Sequence, residues 1–166
     1  MVSPDDSFIE TIRAVVDLPL WRYHLSISEL HRSANRLDEA VIWADHALFQ
    51  AERSQDELAL LRTHAHLAFL MRLSERPTSA ERHLSRALEG ARNFGDRLSS
   101  AEVLLERAKI RAQRGELEEA VRCCEEALRL SEEVDWREGS KHAREALLRI
   151  GEAFHGADNV AHSAEA

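Results

Sequence analysis

Residues 101–128 read AEVLLERAKIRAQRGELEEAVRCCEEAL, and this stretch decides the fold. Two runs of strong helix formers flank the break Arg114-Gly115-Glu116. A glycine there suits the left-handed end of one helix, and Leu117 opens the next. Leu104 and Ala108 precede the break; Ala120, Cys124 and Ala127 follow it. Offsets of four and seven place those last three along one helical stripe. Small side chains on that stripe let a neighbouring helix come close. The segment reads as two helices folded back on one another.

The same pattern lies 40 and 80 residues upstream. Ala40, Ala80 and Ala120 correspond, as do Ala47, Ala87 and Ala127, each followed by Leu48, Leu88 or Leu128. Ala44, Leu84 and Cys124 stand between them, and Ser28, Ala68 and Ala108 mark a small position on the preceding helix. Leu37, Pro77 and Leu117 open the second helix each time, after the breaks Ala34-Asn35-Arg36, Glu75-Arg76-Pro77 and Arg114-Gly115-Glu116. A fixed period of this length signals stacked supersecondary units. The fold class expected is all-α, an α-solenoid of antiparallel helix pairs. Helices are predicted near 5–17, 21–34, 37–53, 57–74, 77–93, 97–114, 117–133 and 138–155. One domain is expected over 1–166: an N-terminal capping helix within 1–20, units at 21–60, 61–100 and 101–140, a half unit at 141–155, and a frayed tail at 156–166. Leu147, Ile150, Gly151 and Phe154 suggest a fourth unit shifted by three residues, with a longer third linker.

Composition agrees and narrows the function classes. Apolar residues make up 44% and charged residues 31%, with only 6 Gly and 3 Pro and no hairpin-turn signals. The formal charge of -8 argues against phosphate-seeking nucleic-acid binding. Between Glu116 and Glu138 stand nine acids and three arginines. No basic start followed by an apolar run marks a secretory signal in the first 20 residues, and no stretch reaches membrane-spanning length. Cys123 and Cys124 are adjacent on a helix, where a bridge would be strained, so a reduced cytoplasmic chain is expected.

Catalytic and metal motifs are missing. Nine histidines are scattered; His64 and His66 diverge on a helix, whereas His24 and His64 hold equivalent packing positions. There is no HExxH, no Cys-x-x-Cys, no Gly-x-Ser-x-Gly and no phosphate loop, so neither enzyme activity nor a metal or other cofactor is expected.

The order Leu104, Ala108, Gly115, Leu117, Ala120, Ala127 resembles the tetratricopeptide repeat family, over about residues 21–155. The period is 40 rather than the family's 34, and His31, Met71 and Arg111 replace the first-helix aromatic. Such long units are similar to those of bacterial regulatory proteins and peptide-sensing receptors. The resemblance implies a right-handed superhelix whose first helices line a concave groove for a protein or peptide. Carried over by position, the groove would hold Arg22 and Arg62, Arg32 and Arg72, and Glu29, Phe69 and Lys109, with Glu102 opposing. Arginines repeating with the fold suit a partner with acidic groups. The family's clamp for C-terminal carboxylates, a lysine with an asparagine four residues on, is absent. Trp21, Trp43 and Trp136 are expected as core or inter-repeat fillers; less readily, Trp21, Tyr23 or Trp43 anchors a partner. Two rival roles follow from the same architecture: a sensory or regulatory module, and self-association through the terminal half units.

Overall fold

The computed structural model describes the backbone of residues 19–164 and side chains through Ala153; the capping helix expected at 5–17 lies outside them. Seven helices follow in order: α1 (Leu20–Ser33), α2 (Leu37–Ser54), α3 (Glu57–Leu73), α4 (Pro77–Asn93), α5 (Arg97–Gln113), α6 (Leu117–Glu133) and α7 (Arg137–Ala164). They pack as antiparallel pairs, α1 on α2, α3 on α4 and α5 on α6, and each pair stacks on the next, with α7 closing the stack.

The linkers carry a regularity finer than the unit. Left-handed residues fall at Asn35, Gln55, Glu75, Gly95, Gly115 and Asp135, twenty apart throughout. Gln55 directly follows the last residue of its helix, and the other five sit two residues beyond theirs. The next amide then reaches back to a carbonyl of the last turn: Arg36 to His31 at 2.9 Å, Asp56 to Ala51 at 3.3 Å, Arg76 to Met71 at 2.8 Å, and likewise to Trp136 on Ser131 at 2.8 Å. These bonds satisfy carbonyls that a helix end leaves unpaired. Asp56 and Asp96 cap the following helices, accepting from the Ala59 amide at 3.0 Å and the Ser99 amide at 2.9 Å.

The third linker corrects the sequence reading. Helix α7 starts at Arg137, forty residues after Arg97, so neither a longer linker nor a three-residue shift exists. Ile150 therefore corresponds to Leu70 and Ile110, and all three are buried. The helix also continues to Ala164, past the end expected near 155. Trp136 stands where the earlier units have a capping aspartate. Its ring lies over Gly139, where a Cβ would come within 2.0 Å of it.

Second helices bury residues at offsets of zero, four, seven and eleven, all small except Leu84: Ala40, Ala44, Ala47 and Ala51; Ala80, Leu84, Ala87 and Ala91; Ala120, Cys124, Ala127 and Ser131. Leu67, Leu70, Leu84, Leu104 and Ile110 fill the layers between. Ser28 bonds across its pair to the Ala40 carbonyl at 2.6 Å, which explains a hydroxyl at the small position. Arg111 holds the place of the family's aromatic. It bonds Glu81 of the previous unit at 2.8 Å, Glu116 at 2.5 Å and Glu119 at 2.6 Å, so ion pairing replaces ring packing there. Both cysteines are free, and burial pushes the Cys124 thiol up to about 11.

Candidate functional site: the face of the first helices

Curvature follows from which helices meet. The first helices approach one another, α1 with α3, α3 with α5 and α5 with α7, and no comparable approach links second helices among the described residues. A stack closer on one side bends toward that side. The first helices therefore line the inner face.

Three shallow cavities mark this face. Near the start, Trp21, Arg22, Leu25, Ser26, Leu58 and Arg62 surround about 340 Å³. Beside it, Leu25, Glu29, Leu30 and His66 border about 470 Å³. The largest, about 590 Å³, lies between α5 and α7. Leu105, Ala108, Ala112, Ala146 and Ile150 form its floor, and Arg72, Lys109, His142, Glu145 and Arg149 its rim.

The residues expected in the groove fall into two groups. Glu29, Arg32, Phe69, Arg72 and Lys109 form one connected line across three units. Arg32 is joined to Glu29, whose carboxyl it holds below the usual range. Phe69 sits between two guanidinium groups, Arg32 at 5.6 Å and Arg72 at 5.2 Å from the ring centroid. Arg72 donates to Glu106 at 2.9 Å, and Lys109 donates to the same carboxylate at 2.5 Å. The Arg72 and Glu106 side chains are only 15% and 22% exposed, so this pair is shielded from solvent in a way the Glu29–Arg32 pair is not.

Arg22, Arg62 and Glu102 form the second group. Both arginines are exposed, and neither makes an ion pair among the described residues. Burial pushes the Glu102 carboxyl up, and Arg62 opposes that shift. Burial also works against the Asp96 carboxylate, but bonds from Ser99 and the charge of Arg62 leave it below its ordinary range. Arg62 thus lies near two acids, Glu102 of α5 and its cap Asp96, without an ion pair to either.

Two residues of the cavity between α5 and α7 were missed in the sequence. His142 lies forty residues after Glu102, and Arg149 forty after Lys109. The repeat itself was the available signal, and the supposed shift of three residues hid it. Glu106, which ties Arg72 to Lys109, belongs to no repeating position: its equivalents are His66, Ser26 and Ala146. Among the aromatics, Trp21 is buried, and Trp43 packs edge-on to His46 at 5.5 Å, as fillers should. Tyr23 is exposed. His64 and His83 meet across their helix pair with Nδ1 atoms 3.0 Å apart, and burial depresses His64 to about 4. No group of three metal-binding side chains gathers among the described residues.

A stack of antiparallel helix pairs with a continuous inner face is an α-solenoid, a class in which neighbouring units share one core and one surface. The family comparison is more specific for one unit: residues 101–134 match the tetratricopeptide repeat, and the packing of the described helices is that of a tetratricopeptide-like solenoid. Among solved structures it is similar to BtubC (BKLC) from P. vanneervenii, with a TM-score of 0.67 at 15% identity. That match covers 88% of this chain and 65% of the other, so the chain spans about two thirds of the protein it matches. A comparison with curated proteins finds no match. Tetratricopeptide repeats generally mediate protein–protein interaction. No helix among the described residues is long and apolar enough to cross a membrane.

Proposed function

We propose that the chain is a non-enzymatic binding module that holds a segment of a partner protein against its first helices, with carboxylate or phosphate groups of that segment on the cationic rim. The observation that carries this reading is the cavity between α5 and α7. Its floor is apolar, and Arg72, Lys109 and Arg149 stand around it with His142. A chain of net charge -8 that gathers cations at one apolar depression favours an acidic, partly apolar guest. Arg22 and Arg62 extend the same preference toward α1. Arg32 and Phe69 serve differently: already fixed by neighbours, they present a rigid surface whose ordering cost is met before binding.

The test is an array of acidic peptides interleaved with leucine, read by fluorescence anisotropy. Binding should weaken about tenfold or more in Lys109→Glu/Arg149→Glu, and weaken further with salt. Circular dichroism should show unchanged helicity. Peptides that bind the variant as well as the original chain would place the site elsewhere.

A further inference from the structure

The outer side of α7 differs from that of every earlier first helix. In the second and third units a second helix covers the small residues Ala68 and Ala108, which are buried. The equivalent position on α7 is Leu148, 70% exposed. Arg144, Leu147, Gly151 and Glu152 surround it and line an open cavity of about 600 Å³.

Two features indicate what fits there. Gly151 lies inside a helix, where glycine is unfavourable relative to alanine. A Cβ at that position would meet nothing within 4 Å, so packing within the described chain does not call for glycine. A missing side chain on an open helix face leaves room for another backbone. The second feature is charge. Arg144 and Glu152 stand four residues before and four after Leu148. If two such helices cross antiparallel with a two-fold axis at Leu148, each Arg144 faces Glu152 of the other copy. Opposite charges at equal distances from a centre are what a self-complementary contact requires.

We propose that two copies of this chain pair antiparallel through α7, with Leu148 at the axis, Gly151 admitting the facing helix, and Arg144 opposite Glu152 of the second copy. This contact is separate from the groove and does not depend on what the groove holds.

Light scattering and sedimentation of the full chain over a range of concentrations should show a monomer–dimer equilibrium. Leu148→Glu should weaken it about tenfold or more. Arg144→Glu and Glu152→Arg should each weaken it by placing like charges face to face. An equimolar mixture of those two variants should dimerise again, because both cross-contacts then join opposite charges. Arg144 also bonds Glu132 at 2.6 Å, so melting curves of each variant separate lost association from lost folding. A wild-type chain that stays monomeric overturns the proposal and leaves the face to a further helix or a foreign partner. So does a Leu148→Glu variant that dimerises as before, or a mixture that fails to recover.

Discussion

At the residue scale, the linkers hold four non-glycine residues at positive φ: Asn35, Gln55, Glu75 and Asp135. Asparagine and aspartate tolerate this region; glutamine and glutamate carry a Cβ against the following carbonyl without that compensation. Gln55→Gly and Glu75→Gly should therefore each stabilise the chain by about 0.5–1 kcal/mol, read as a raised urea midpoint at constant slope. The histidines supply a second expectation. His64 titrates near 4 in the fold against 6.5 in the open chain, and His66 and His83 are lowered too. A depressed histidine means that the unfolded chain binds the proton first. The stability due to it is complete above pH 6.5 and is lost as pH falls toward 4. Replacing the pair by the residues of the next unit, His64→Leu and His83→Cys after Leu104 and Cys123, should flatten the melting temperature over that window. The sequence showed that His24 and His64 were equivalent packing positions. It could not show the His64–His83 contact, because position 83 repeats as Trp43 and Cys123 and shares no chemistry with them.

At the scale of single helices, α7 departs most from its equivalents. Its capping aspartate is replaced by Trp136, whose ring occupies the space above Gly139. Gly139→Ala should displace that ring from the core it packs against, at a cost of about 1–3 kcal/mol. The measurement is a denaturation curve, with tryptophan fluorescence reporting the displaced ring. The identity of this helix was legible from its apolar spacing; its register was not. Leu147, Ile150, Gly151 and Phe154 imitate the family's first-helix order three residues late. Burial decides otherwise, because Ile150 enters the layer that Leu70 and Ile110 occupy in their own units. A motif matched by residue type lost to a period matched by packing. The same error concealed Arg149 and His142, two of the four basic residues on the rim of the cavity between α5 and α7.

At the scale of the whole molecule, the three helix pairs were legible, because small residues must recur wherever helices approach closely. The inner face was legible as a set of positions and not as a network. Arg32 and Arg72 repeat, yet what each does depends on partners that do not: Glu29 for one, Glu106 for the other. Stability in such a stack is shared between neighbours. Leu84→Ala, in the middle layer, should cost about 2–5 kcal/mol and loosen both adjoining units together. Hydrogen exchange would register that as lost protection in α3 through α5, with α7 less affected.

The twenty-residue spacing of left-handed residues has a consequence for how the chain can be edited. Every linker leaves its helix through the same backbone turn, so a cut just before one left-handed residue and a join two linkers later meet in matching geometry. Residues 55–94 form such a cassette. Inserting a second copy of it should yield a longer rod with two Phe69-centred clasps in tandem, still folding in one register. An insert of 34 residues, the length usual for this family, breaks the turn spacing and should not. Chain length here is a count of interchangeable parts, and the reach of the binding face can be lengthened in whole steps.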